Sequence, residues 1–308
     1  MNTEKLLSIV IPVFNEKENI VLLVEKIHEV IANQIEYEIV LVDDASTDGT
    51  LELLRGLSKQ FPSRIRYISF ARNFGHQVAL RAGLLYSKGD GVITMDGDFQ
   101  HPPEIIPLLL EQWINGCQVV SARRKNEKEG ALKKLTSKAF YKLNNVLTEC
   151  RIEEDVADFR LIDRRVVEYI NNLKEEHLFI RGIVAWLGFT HGYVDYEQPA
   201  RLYGKSKYTL KKMFMLAFSA ITSFSVRPLR WALLIGVFFS LAAWSYGLYA
   251  IIAYLRGSAL PGWTSILASI LLIGGIQLMC MGIIGEYLGK VHMQAKYRPF
   301  FVIKDKSE

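Results

Sequence analysis

Apolar and polar positions follow two regimes along this chain. In the first, short apolar runs of strand length alternate with stretches whose apolar residues recur every three or four positions. Leu7-Ser8-Ile9-Val10-Ile11-Pro12-Val13 reads as a strand, and Ile20, Leu23, Val24, Ile27 and Ile31 follow at helical spacing. Glu38 to Val42 is a second strand ending in Asp43-Asp44; Ser46-Thr47-Asp48-Gly49 then opens a helix through Leu51, Leu54 and Leu57, with Asp48 read as its cap. Ile65 to Phe70 is a third strand, followed by Arg72-Asn73-Phe74-Gly75-His76 and a helix to Ser87. A fourth, Gly91 to Thr94, leads into Asp96, and a fifth, Gln118 to Ala122, ends in Arg123-Arg124. Strands alternating with helices at these intervals predict βαβ units and a mostly parallel sheet.

The second regime begins near Lys207. Leu210, Met213, Phe214, Ala217, Phe218, Ile221 and Phe224 repeat at helical spacing behind Lys207, Lys211 and Lys212, which predicts an amphipathic helix lying in a membrane interface. Trp231 to Leu255 carries no charge, nor does Gly257 to Gly285, and each run exceeds the roughly 20 residues that span a bilayer. Arg227 and Arg230 precede the first run and Lys290, Lys296 and Arg298 follow the second, while the connector carries only Arg256. That bias places both termini in the cytoplasm. The domain expectation is therefore a cytoplasmic catalytic domain over 1–206, an interfacial helix over 207–228, a two-helix membrane domain over 229–290 and a cytoplasmic tail over 291–308.

Composition sharpens this reading. Half of the 308 residues are hydrophobic, too many for disorder, and the net charge of +5 suits a domain resting on an anionic leaflet. A basic chain could instead bind nucleic acid, but no recognition motif for it is present. Cys117, Cys150 and Cys280 have neither zinc nor disulfide spacing. The candidate chemistry gathers just past the carboxyl ends of the strands, where open α/β sheets bind ligands. Asn15-Glu16, Asp43-Asp44, Arg72-Asn73, Asp96 with Asp98, and Arg123 all fall there. The Asp-x-Asp pair suits a hard divalent cation, Mg²⁺ or Mn²⁺, that keeps positions open for substrate phosphates. Asp158 and Arg160 flank Phe159 in an otherwise apolar segment, where an unpaired charge is costly, and Arg201 to Tyr208 is a basic, glycine-containing loop suited to phosphate.

The segments Val10-Ile11-Pro12-Val13-Phe14-Asn15-Glu16, Asp43-Asp44-Ala45-Ser46, Ala71-Arg72-Asn73-Phe74-Gly75, Asp96-Gly97-Asp98-Phe99-Gln100 and Ala157-Asp158-Phe159-Arg160 resemble those of family 2 glycosyltransferases, polyprenyl-phosphate glucosyltransferases above all. The resemblance runs over nearly the whole chain. It implies a GT-A fold, Rossmann-like and mostly parallel, followed by an interfacial helix and two transmembrane helices. It further implies a UDP-sugar donor and an undecaprenyl phosphate acceptor at the cytoplasmic membrane. Carried over by position, Pro12, Phe14, Glu16 and Asp44 line the nucleoside pocket, with Gly97 and Arg201 near the nucleotide sugar. Asp96, Asp98 and Gln100 hold the metal and diphosphate, and Arg123, Lys133, Ser137 and Lys207 face the acceptor phosphate. Asp158 and Arg160, with Asp98, belong to the reacting centre. The resemblance also implies a homo-oligomer, a tetramer among relatives. Ala157 stands where relatives often have Gly, and Gly97 and Phe99 where they have Ala and Leu; no carboxylate is affected. Two other readings remain open at this point: the same transfer from UDP-N-acetylglucosamine or an amino-sugar donor, and a membrane-anchored nucleotide-sugar binder without turnover.

Overall fold

The computed structural model describes residues 5–125, 156–175, 179–197, 227–256 and 262–307. They divide into two compact units, one containing 5–125, 156–175, 179–197 and 299–307, the other 227–256 and 262–298. In the first unit the strands are β1 (Leu6–Val13), β2 (Glu36–Asp43), β3 (Ile65–Phe70), β4 (Gly91–Thr94), β5 (Val119–Arg124), β6 (Val156–Asp163), β7 (His191–Tyr196) and β8 (Ile303–Lys306). The helices are α1 (Ile20–Ile31), α2 (Thr50–Gln60), α3 (His76–Tyr86), α4 (Ile106–Ile114, after a 3-10 turn at Pro103–Ile105), α5 (Arg164–Asn172) and α6 (Ile180–Leu187).

All eight strands form one sheet in the order β7-β5-β6-β4-β1-β2-β3-β8. β3, β2, β1 and β4 run parallel. β6 is antiparallel to both β4 and β5, and β7 is parallel to β5. The start of β6 therefore lies at the same edge as the carboxyl ends of β1, β2, β4 and β5, which brings Asp158 to that edge from a strand of opposite direction. The parallel strands are buried on both faces, so they read as continuous apolar runs. The order reverses at β1, whose successor β2 lies on one side and β4 on the other, and this is the switch point where such sheets open a crevice. Pro12 lies two residues beyond Val10–Thr94, the last β1–β4 pair, so its missing N–H interrupts no rung of that ladder.

Helix α3 lies so close to β1 that a Cβ built on Gly83 would fall 2.0 Å from Val10 Cγ1. That approach sets the helix whose first turn carries His76 and Gln77. Asp48 supports α2 from one position before the cap residue Gly49: its Oδ1 accepts from Thr50 N (3.0 Å) and Thr50 Oγ1 (2.6 Å).

Strand β8 completes the sheet. It pairs antiparallel with β3, and Ala71 N donates to Val302 O (2.9 Å). Asp305 accepts from Arg55 Nη2 at 2.6 Å and from Tyr67 Oη at 3.1 Å.

The second unit is a hairpin of two long helices, α7 (Arg227–Leu255) and α8 (Trp263–Gln294). Both are long and apolar enough to cross a membrane, over Leu229–Ala253 and Leu272–Gln294. Large apolar side chains such as Leu233, Trp244 and Leu278 stand exposed on them, as lipid-facing residues would. They meet where Ala232 is buried and Cys280 Sγ lies 3.8 Å from its carbonyl. The amphipathic stretch expected over 207–228 lies outside the described residues up to 226, and Arg227 and Pro228 begin α7.

Candidate active site

At the carboxyl edge the chain turns sharply after three strands on residues with left-handed backbone: Asn15 (φ 58°) after β1, Ala45 (φ 61°) after β2 and Phe99 (φ 61°) after β4. Non-glycine residues seldom adopt this region, and such strain collects where function requires it. Asn15 Oδ1 accepts from Thr47 N (2.8 Å), and Asn73 Nδ2 reaches Asp44 O (3.4 Å), so the first three loops are tied together.

Asp96 follows β4. Its backbone N–H donates to His101 Nδ1 (2.9 Å), which leaves the proton of the neutral ring on Nε2, 3.7 Å from Asp96 Oδ2. His101 is fully buried against Phe159, ring centroids 5.1 Å apart, and burial pushes its pKa down. Its Nε2 has no hydrogen-bond partner among the described residues. The other carboxylate oxygen of Asp96 lies 2.7 Å from His76 Nε2. Burial opposes the charged forms of both groups, yet His101 and His76 hold the Asp96 carboxyl well below its ordinary range, and Asp96 holds His76 above its own. Asp98 Oδ1 accepts from Gln100 N (3.2 Å).

Asp158 is anchored to β4 by Thr94 Oγ1, which donates to its carbonyl (2.6 Å). Three side chains approach its carboxylate: Gln77 Nε2 (3.1 Å), Arg160 Nη2 (3.3 Å) and Arg181 Nη2 (3.4 Å). Burial alone would raise this carboxyl; Arg181 and then Arg160 and His76 pull it below the usual value. The Asp158–Arg160 pair recognised in the sequence is thus half of a larger cluster, in which two guanidiniums face one carboxylate. Gln77 also accepts at Oε1 from Ile180 N (3.3 Å), which ties α3 to the start of α6.

Asp44 is buried, and both its oxygens are engaged: Phe74 N donates to Oδ1 (2.6 Å) and Gly75 N to Oδ2 (2.9 Å). Among the other nucleoside-pocket candidates, Pro12 lies in the β1–β2 ladder opposite Val42, Phe14 is 36 % exposed, and Glu16 Oε2 accepts from Asn19 Nδ2 (2.7 Å). Gly97 needs no glycine for space, since an added Cβ would meet Val13 Cγ1 at an ordinary 3.4 Å. Arg123, on β5, pairs with Asp195 of β7 (2.7 Å). Lys133, Ser137, Arg201 and Lys207 lie outside the described residues. The structure thus brings Asp96, Asp98, Gln100, Asp158 and Arg160 to one edge and adds His76, Gln77, His101 and Arg181. Nothing in the sequence pattern marks these four: each sits singly among apolar or polar neighbours, and only the fold assembles them.

Among the described residues no group of three or more His, Cys, Asp or Glu side chains is arranged to hold a metal ion by itself. The donor set fits a cation of a different kind. Two carboxylates one residue apart, with no cage around them, suit Mg²⁺ or Mn²⁺ completing its shell with phosphate oxygens and water.

A mostly parallel sheet whose switch point carries an Asp-x-Asp turn and a third, arginine-bound aspartate has the GT-A architecture. Residues 8–170 match the family described as glycosyl transferase family 2, and residues 227–291 match the GtrB C-terminal hairpin. The chain belongs to glycosyl transferase family 2 and is a glycosyltransferase. It is 41% identical over 305 residues to a bactoprenol glucosyl transferase of Shigella phage SfV, covering 98% of this chain and 99% of that one. It is 40% identical to a prophage bactoprenol glucosyl transferase homolog of Escherichia coli strain K12 (97% and 98% covered) and 40% identical to the uncharacterized glycosyltransferase YkcC of Bacillus subtilis strain 168 (96% and 93%). Among solved structures it resembles glucosyl-3-phosphoglycerate synthase from Mycobacterium tuberculosis, crystallised with Mn²⁺, UDP and phosphoglyceric acid. That likeness has a TM-score of 0.50 at 17% identity, covers 71% of this chain and 77% of the other, and is one of fold.

Proposed function

We propose that this protein transfers glucose from UDP-glucose to undecaprenyl phosphate at the cytoplasmic face of the membrane, with inversion at the sugar. The observation that carries the reading is the match to bactoprenol glucosyl transferases over 98% of the chain, hairpin included. Support for the donor comes from the fold shared with a UDP-binding synthase and from the carboxylate pair at the switch point.

Asp96 and Asp98 would hold a divalent cation, which supplies charge neutralisation at the departing diphosphate. The protein's own groups account for the rest. An oxygen of the acceptor phosphate forms the new bond to the anomeric carbon while the bond from that carbon to the UDP oxygen breaks, and UDP leaves with the electron pair. No proton has to move, because a phosphate monoester with a second pKa of about 6 is mostly dianionic at pH 7. Asp158 accordingly serves as counter-ion and brace rather than as base: Gln77, Arg160 and Arg181 surround its carboxylate, and Arg181 with Arg160 and His76 keeps it ionised. Two guanidiniums against one carboxylate leave a surplus positive charge near the centre where phosphates gather. His76 holds the Asp96 carboxylate, and His101 holds the Asp96 backbone by accepting from its N–H.

The test is turnover by the detergent-purified full chain with undecaprenyl phosphate, Mn²⁺ or Mg²⁺, and a panel of UDP-sugars, following UDP release and the lipid product. Lipid-dependent release of UDP from UDP-glucose is the expected result. Turnover with another UDP-sugar alone would move the reading to that donor, and UDP binding without turnover on any of them would move it to a nucleotide-sugar binder.

A further inference from the structure

The segment that follows the second long helix reaches the loop that carries His76 and Gln77. Phe301 stacks on Phe70, ring centroids 5.1 Å apart and planes 21° from parallel. Phe70, fully buried at the end of β3, takes the edge of Phe74 at 5.6 Å and 84°. Phe74 is the residue whose N–H donates to Asp44, and Gly75 donates to the other oxygen of the same carboxylate. The next two residues hold the two reacting-centre aspartates, His76 on Asp96 at 2.7 Å and Gln77 on Asp158 at 3.1 Å. A second contact runs beside the first. The Phe300 ring lies 3.5 Å from Arg81 Cζ, and that buried guanidinium donates to the carbonyls of Leu173 and Glu175, just upstream of Arg181.

We propose that Phe300 and Phe301 are positioning residues of the reaction: through Phe70 and Phe74 on one side and Arg81 on the other, the segment between the helical hairpin and β8 holds the β3–α3 loop and the approach to α6 in register with Asp96 and Asp158. Aromatic stacking gives the contact its direction, since an offset or edge-on ring tolerates little sliding. A cation over a ring adds to it. Removing Phe301 takes the backing from Phe70, the ring that Phe74 packs against, and so loosens the loop whose two N–H groups bond Asp44. The contribution is chiefly to kcat, because displacing His76 and Gln77 by a fraction of an ångström costs rate, while Asp44 keeps its own backbone bond to Val13 O (2.9 Å) at the end of β1.

Its kinetic reading rests on the proposed sugar transfer, so the test has two arms. Phe301→Ala, Phe301→Leu and the control Lys304→Ala, on the exposed side of β8, are made in the full chain in detergent. In the first arm, backbone hydrogen exchange is followed in peptides spanning residues 71–78 and 6–13. We expect exchange in the first peptide to quicken about tenfold in both Phe301 variants and stay unchanged in the second peptide and in Lys304→Ala. In the second arm, kcat falls about tenfold with the donor KM within about twofold. Unchanged exchange over 71–78, or exchange that quickens equally in both peptides, overturns the proposal whatever the activity. A kcat per folded molecule within about twofold of wild type overturns it too. Absence of transfer by the wild-type chain would count against the proposed function alone, and the exchange arm would still decide this one.

Discussion

Asp158 is the residue on which the chemistry turns, and its surroundings make a specific prediction. A side chain that takes a proton during catalysis should titrate near the working pH. Asp158 is shifted the other way: burial would raise it, but Arg181 and Arg160 hold its pKa below the ordinary value. A depressed pKa stabilises the fold above the unfolded-state value of about 3.9, and that stabilisation disappears only as the pH falls through the lower, folded value. The carboxylate is therefore charged throughout any assay range, and the acid limb of the rate profile should belong to the acceptor phosphate, near pH 6. We expect Asp158→Asn to lower kcat about a hundredfold and leave that limb where it was; a limb that moves or vanishes would restore the base role. The same variant leaves two guanidiniums without their counter-ion, at a cost of about 3 kcal/mol in stability. Adding Arg181→Gln removes one of the stranded charges, so the double variant should melt higher than the sum of the two single losses predicts. Simple additivity in thermal unfolding would show that Arg160 alone pairs with Asp158.

At the scale of elements, the position of α3 decides whether these residues meet. Its first turn supplies His76 and Gln77, its last turns press on β1 at Gly83, and a Cβ at Gly83 would overlap Val10 Cγ1 at 2.0 Å. Gly83→Ala should therefore destabilise by about 1–3 kcal/mol, the cost of overpacking a filled site, seen as a lower melting temperature. Val10→Ala opens the space the new methyl needs, so the two changes together should cost less than their sum; a fully additive cycle would mean that α3 is not held by this contact. The parallel half of the sheet was legible because strands buried on both faces are unbroken apolar runs that end in polar residues, as Ile9 to Val13 and Ile39 to Val42 do. The Asp-x-Asp turn and the Asp158–Arg160 pair stood out as charge beside apolar segments. Arg181 and Gln77 did not, since an arginine in the first turn of a helix and a glutamine beside a histidine look like ordinary surface choices. They acquire a role only because the start of β6 runs back to the edge where α3 begins. Strand β8 was invisible for a related reason: Ile303-Lys304-Asp305-Lys306 alternates with charge like any exposed tail, and Asp305 finds Tyr67 238 residues away.

That last strand bears on the whole molecule. Because Ile303–Lys306 is hydrogen-bonded to β3, whatever path α7 and α8 take must return the chain to the compartment that holds the sheet. An odd number of crossings is incompatible with this pairing; two crossings, by helices of 29 and 32 residues, satisfy it. Charge argues for the same orientation, with Arg227 and Arg230 before the first helix and Lys290, Lys296 and Arg298 at and beyond the end of the second. The prediction is one of sidedness. In a chain whose three cysteines have been replaced, single cysteines are introduced at Lys59 on α2, at Lys304 on β8 and at Arg256 just past α7, all of them exposed. A membrane-impermeant maleimide should label Lys59→Cys and Lys304→Cys in inverted vesicles and Arg256→Cys only in right-side-out ones. The pairing of β8 with β3 makes the first two inseparable: if they reacted from opposite faces, the strand could not sit on the sheet in the membrane, and the positioning role of Phe300 and Phe301 would fall with it. If Arg256→Cys reacted from the same face as the other two, the hairpin would lie on the bilayer instead of crossing it. The acceptor phosphate would then have to be reached along the membrane surface, with no part of the chain passing through to the other side.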